Sequence, residues 1–236
     1  MEALGTVLGI WAHPDDDIYL SSGVMATASA AGERVVDVTA TRGEGGSMDE
    51  ERWPPAEMGE VRTAELYRSL EILGVSEHRF LQGCVDVDMQ TGLDEVGAAQ
   101  VATIMREIRP HTVLTFGPDG MTGHEGHKSV HRWATAAFRE EAPMGARLFY
   151  ATNTPAWADE WVPKLAQFNI FLPGTPPVTP EDEIALDLVL DDELRDLKLE
   201  AISAHESQVE GLLGVFGGEG FKRAFARESF RLAETR

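Results

Sequence analysis

Two short clusters hold most of the residues capable of chemistry. The first, Ala12-His13-Pro14-Asp15-Asp16-Asp17, packs one imidazole and three carboxylates into five consecutive residues, His13 to Asp17. The second, Gly123-His124-Glu125-Gly126-His127, is followed one turn later by His131, so the two segments account for four of the chain's seven histidines. Residues three and four apart share a helix face, which lets His124 and His127 address one point. A histidine and an aspartate from the first cluster, joined by a histidine from the second, make an N/N/O donor set. That is the composition of a catalytic zinc site that keeps one position open for water. Successive residues at a strand end project differently, so one of Asp15 and Asp16 can bind metal while its neighbour handles a proton. The bland alternative is an acidic cap, favoured by the free N–H groups and dipole of a helix N-terminus, but a cap needs only one aspartate.

Both clusters stand where a strand ends and a helix begins. Val7 to Ala12 reads as a buried strand, Pro14 holds His13 extended, and Ile18, Leu20, Val24 and Met25 then form a rough helical stripe. Thr112-Val113-Leu114-Thr115-Phe116 is a second apolar strand ahead of a Gly/Pro-rich loop and His124. Along the chain the pattern predicts strands at 5–12, 34–41, 78–82, 111–117, 147–153 and 184–190. Helices are predicted near 16–31, 56–74, 93–109, 127–141 and 192–213. This alternation implies one α/β domain over residues 1–236, a Rossmann-like three-layer sandwich with a mostly parallel sheet. Such sheets bind ligands outside the carboxyl ends of their strands, where both clusters fall. Loop 42–57 follows a strand on that edge and is expected to shape the site, whereas 172–180 reads equally well as a plain connector.

The sequence resembles the PIG-L/LmbE-like family of zinc-dependent de-N-acetylases. The resemblance rests on Ala12 to Asp17, close to that family's A-H-P-D-D-E signature, and on His124-Glu125-Gly126-His127, near its H-P-D-H motif. Thr41-Arg42-Gly43-Glu44-Gly45-Gly46, Arg62-Thr63-Ala64-Glu65, Leu73-Gly74-Val75 and His205-Glu206-Ser207-Gln208 follow in the family's order. The resemblance implies His13, Asp16 and His127 as zinc ligands, Asp15 as general base, and His124 as the group that stabilises the oxyanion or protonates the departing amine. It further implies that Arg62 and Asp86 look toward the sugar of an N-acetylglucosaminyl small molecule. Zinc is the implied cofactor, with Fe2+ and Co2+ accepted by the same donors. Gly126 stands where the family has an aspartate able to orient the first imidazole, and Asp119 and Glu125 are the candidate replacements.

Composition narrows the classes. A formal charge of −20 argues against nucleic acid or an anionic membrane as partner and leaves a neutral sugar acceptable. The apolar run near the N-terminus is too short for a signal peptide or a membrane span, and Cys84 is the single cysteine, so a cytoplasmic location is expected. A homo-oligomer stays open. The first strand leads into His-Pro-Asp-Asp-Asp instead of a G-x-G-x-x-G turn, and no G-x-S-x-G elbow occurs, which disfavours a dinucleotide enzyme and a serine hydrolase. The rivals that survive are an amidase acting on a larger thiol-sugar conjugate and a non-catalytic metal- or sugar-binding relative. His205 on a long helix from Leu194 to Leu213, and Trp53, Trp157 and Trp161, are candidates for either the pocket or the core.

Overall fold

The computed structural model describes residues 2–86 and 94–236. Seven strands form one sheet: β1 Val7–Trp11, β2 Val35–Thr39, β3 Glu77–Phe80, β4 Thr112–Thr115, β5 Arg147–Thr152, β6 Ile184–Val189 and β7 Arg227–Thr235. Their order is β3-β2-β1-β4-β5-β7-β6. The first five strands pair in parallel, while β7 runs antiparallel to both β5 and β6. Every residue of β1, β2 and β4 is buried, so none of them shows the alternation of a half-exposed strand, although β2 carries the buried Asp37 at its centre.

The helices are α1 Asp16–Ala30, α2 Met58–Ile72, α3 Asp94–Ile108, the short α4 Gly120–Gly123, α5 Glu125–Glu141, α6 Pro155–Leu165, α7 Asp192–Ser203 and α8 Glu206–Ala224. Packing of α3 on α5, and of α1 and α2 on α7, with α1 and α5 both against β1, covers the two faces of the sheet. Among the described residues no helix is long and apolar enough to cross a membrane.

Several elements depart from the sequence reading. The helix expected over 192–213 is two helices, because the chain breaks at Ala204 and His205 and restarts at Glu206. Helix α6 and strand β7 were not anticipated: α6 begins at a Thr154 cap followed by Pro155 but carries a second proline at 163, and β7 is rich in charge. Residue 93, the expected first residue of α3, lies outside the described residues.

A buried ion pair ties β7 to α1 and α7. Lys198 Nζ donates to Glu228 Oε1 at 2.7 Å and to the Tyr19 carbonyl at 2.8 Å. Glu228 also accepts from the Gly23 and Val24 N–H groups, each at 2.9 Å, and from Ser22 Oγ. A Cβ at Gly23 would lie 2.4 Å from Leu190 Cδ2, so glycine is what lets α1 approach the sheet this closely.

Candidate active site

Strand order reverses beside β1: β2 continues the sheet on one side, β4 on the other. The crevice at that reversal is where a doubly wound sheet binds its ligand, and both clusters open into it, one after β1 and the other after β4. His13 Nδ1 lies 3.2 Å from His127 Nε2. One oxygen of Asp16 lies 3.4 Å from His127 Nε2, and its other oxygen lies 3.5 Å from His13 Nδ1. Bonds of about 2.0–2.1 Å at a tetrahedral centre require donors about 3.3 Å apart, so these three groups have the spacing of a divalent-cation site.

The outer nitrogens support the same reading. His13 Nε2 is 2.8 Å from Asp86 Oδ1, and His127 Nδ1 is 2.9 Å from the Gly120 carbonyl. Each such bond holds a ring in place and leaves the opposite nitrogen's lone pair aimed at the shared point. Burial pulls His13 down, but the hydrogen bonds and charges of Asp16 and Asp86 outweigh it and raise its pKa to about 9. Burial takes His127 down to about 4, against the pull of Asp16, so this imidazole is neutral and free to bind a cation. Asp16 resists its own burial through the neighbouring imidazoles His127 and His13 and falls below the usual carboxylate range. Its Oδ2 also accepts from the His13 and Ala12 N–H groups at 2.8 and 3.2 Å.

His124 stands at the same point. One ring nitrogen each from His13, His124 and His127 lie within 4.8 Å of one another, so an all-histidine set competes with the one containing Asp16. The N–H of Gly126 donates to His124 Nδ1 at 3.3 Å, which places the ring proton of a neutral His124 on Nε2 and makes that atom a donor, not a ligand. This favours Asp16 as the third donor. Burial and the charge of His13 lower the His124 pKa, so the imidazole donates as a neutral group. Neither expected replacement for the family aspartate reaches it: Asp119 accepts from the Met121 N–H, and Glu125 pairs with Lys128. At Gly126 a Cβ would lie 3.1 Å from His124 Nδ1 and 3.4 Å from His13 Nε2, so a side chain here would touch both rings.

Asp15 adopts φ 102°, a left-handed conformation that costs an aspartate about 1–3 kcal/mol, and its side chain makes no capping bond to α1. The acidic-cap reading therefore fails for this residue. Burial raises its pKa to about 7 against the opposing charge of Arg62, whose Nη2 is 3.4 Å away. Arg62 itself is buried; Nη2 donates to the Pro14 carbonyl at 2.6 Å and Nη1 to the Gly43 carbonyl at 3.3 Å, while Nε has no hydrogen-bond partner among the described residues. A Cβ at Gly43 would sit 2.2 Å from that guanidinium and one at Gly46 2.6 Å, which explains these two glycines of loop 42–57. Arg62 thus lies against Asp15 and Asp86 against His13; Arg62 and Asp86 are the two residues for which the resemblance implied sugar contacts. Asp17 is fully buried with no side-chain hydrogen-bond partner among the described residues, and burial beside Asp37 raises its pKa well above the ordinary carboxylate value.

Of the remaining candidates, His131 Nδ1 donates to the Phe116 carbonyl at 3.0 Å, one turn beyond the donor cluster. His205 is wholly buried against Ser69 Oγ and belongs to the core, while Ser207 and Gln208 line the adjoining cavity. Trp53 and Trp157 line that cavity too, whereas Trp161 is buried. Cys84 is a free buried thiol.

Residues 8–138 match the PIG-L family, described as GlcNAc-PI de-N-acetylase. The chain belongs to this family. It is 30% identical over 233 residues to a 1D-myo-inositol 2-acetamido-2-deoxy-alpha-D-glucopyranoside deacetylase of Saccharomonospora viridis, covering 86% of this chain and 85% of that relative. Among solved structures, the N,N'-diacetylchitobiose deacetylase of Pyrococcus horikoshii superposes with a TM-score of 0.62 at 21% identity, over 98% of this chain and 84% of that one. GalB, the 4-carboxy-2-hydroxymuconate hydratase of Pseudomonas putida, shares the fold equally, with a TM-score of 0.64 at 17% identity over 99% of this PIG-L family chain and 98% of that one. One scaffold therefore carries hydrolysis and hydration, and the reaction must be argued from the site.

Proposed function

We propose that this PIG-L family protein is a metal-dependent amidohydrolase that removes an N-acyl group, acetyl in the simplest case, from an N-acylglucosaminyl small molecule. The observation that carries the reading is the convergence of His13 Nδ1, Asp16 and His127 Nε2 at 3.2–3.5 Å, with Asp15 alongside. The names of the relatives support an acetylated amino sugar as substrate.

In this reading His13, Asp16 and His127 hold the cation, zinc in the first place. Bound there, a divalent cation supplies Lewis-acid polarisation of the amide carbonyl and a more acidic water. Asp15, poised near neutrality by burial against Arg62, takes a proton from the attacking water and returns it to the amine nitrogen as the C–N bond breaks. Arg62 holds the Asp15 carboxylate in place from behind. His124 donates its Nε2 proton to the carbonyl oxygen as negative charge develops there, a role a neutral imidazole can fill.

The test is release of acetate and free amine from a panel of N-acetylglucosaminyl glycosides by the zinc-reconstituted protein, with Asp15→Asn as control. The variant is expected to retain metal and lose at least 100-fold in kcat, the order that general-base loss produces. A metal-loaded Asp15→Asn protein with the wild-type rate would exclude Asp15 as base.

A further inference from the structure

A cavity of about 590 Å³ opens directly from Asp15, Asp16 and His127 and runs between the ends of β5 and β7, α6 and α8. Its walls are dominated by Trp157, Leu165, Phe168, Phe171, Leu212 and Phe225. Its size is that of a drug-sized ligand site and equals the liquid volume of about 20 waters. An acetyl methyl fills a small corner of it. His124, Arg62 and Asp86 do not line it, so it extends from the donor cluster on one side only.

Several polar groups in its walls are engaged with the protein, whereas the carboxylates of Asp49, Glu206 and Glu210 are exposed. Glu228 is bound by Lys198, Arg227 by Asp187 at 2.6 and 2.7 Å, and Ser207 by Glu65 at 2.7 Å. Gln208 donates to the Gly46 carbonyl at 2.9 Å, Thr152 pairs with Thr179 at 2.8 Å, and Trp157 Nε1 donates to the Ala224 carbonyl at 2.6 Å. A polyhydroxylated arm such as inositol would lose its water against these aromatic and aliphatic side chains. An alkyl or aryl arm would lose nothing and bury its whole surface.

Resting on the amidohydrolase reading above, we infer that the substrate is an amphiphilic amide whose large apolar arm, alkyl or aryl, fills this chamber while the amide sits at the donor cluster. The experiment uses the metal-loaded full-length protein and two series of glucosaminides. One series lengthens the acyl group from acetyl to octanoyl on a methyl glycoside. The other lengthens the glycoside from methyl to octyl on an N-acetyl sugar. Free amine gives kcat/KM for each member.

At least one series is expected to rise by about fourfold for each buried methylene until the chamber is full. The series that rises tells which side of the amide carries the arm. Gly211 lies on the chamber wall, and a Cβ there meets nothing within 4 Å, so a side chain can start from this position, and Gly211→Trp is expected to flatten the rise. Hydrolysis of the methyl N-acetyl compound with both series flat would overturn the chamber inference and leave the amidohydrolase standing. If no amide is cleaved, the proposed function fails by itself, and calorimetry with the octyl and octanoyl compounds decides the chamber. Tighter binding than the methyl N-acetyl parent supports the apolar arm; equal binding refutes it.

Discussion

Asp86→Asn separates two roles that the sequence alone leaves to analogy. Asp86 Oδ1 sits 2.8 Å from His13 Nε2, both side chains are largely buried, and Oδ2 accepts from the Gly45 N–H at 3.3 Å. A hydrogen bond to a charged partner contributes about 1.5–3 kcal/mol. Loss of a carboxylate behind a metal-binding histidine typically lowers metal affinity 10–100-fold, about 1.4–2.7 kcal/mol, so the two scales agree. Asparagine preserves the shape and can still accept from Nε2–H, which places the expected loss near the lower end, about tenfold, with Asp86→Ala nearer 100-fold. Proton competition adds a signature. Because Asp86 helps to raise His13 to about 9, the wild type must shed a proton from this ring to bind metal at pH 7, and the variant less so. The fold-loss in zinc affinity should therefore be larger at pH 9 than at pH 7. Competition against a chromophoric chelator at both pH values measures it. Unchanged zinc affinity together with a raised KM would refute the reasoning and return Asp86 to the sugar-facing role.

The other expectations concern the donor set, a buried pair and acid stability. Asp16→Ala should abolish stoichiometric zinc binding whereas His124→Ala should retain it and lose kcat; the reverse metal contents would select the all-histidine site. Lys198→Met leaves Glu228 charged and without its cation in the interior, and urea unfolding should show a loss of about 3–5 kcal/mol. Glu228→Gln paired with Lys198→Met should recover part of it, since no uncompensated charge then remains. Burial depresses His78 to about 4 and His205 to about 3, so both are neutral in the folded chain. The unfolded chain binds protons at these sites below about 6.5, so the stability they contribute is complete above that pH and is lost as pH falls toward about 4 and 3. His205→Gln, which keeps a partner for Ser69, should flatten the decline of the thermal midpoint between pH 6 and pH 4; an unaltered slope would exclude His205 as a source.

The residues that could bind metal were legible because local sequence fixes their placement. Buried strands β1 and β4 announce themselves as apolar runs, and each is followed within a few residues by histidines at a helix start. In an α/β sheet that position has one destination, the crevice at the carboxyl edge. The alternation of strands and helices likewise specified a mostly parallel sheet. It did not specify β7, whose charged residues pair with partners far away in sequence, nor the break at Ala204 and His205, where the apolar stripe continues through a change of direction.

Partnership across the fold decided the rest. The type of Arg62 and Asp86 advertises a ligand contact, but their proximity to Pro14, Gly43 and His13 is something only the folded chain brings about. The tautomer of His124 follows from a backbone N–H two residues on, and Gly126 faces two rings that only the fold brings together across the site. The apolar chamber is least visible of all. Its walls come from β5, α6, α8 and β7, each contributing residues that sequence pattern assigns equally well to the core, and only long-range packing determines which aromatic side chains face one another and which face a ligand.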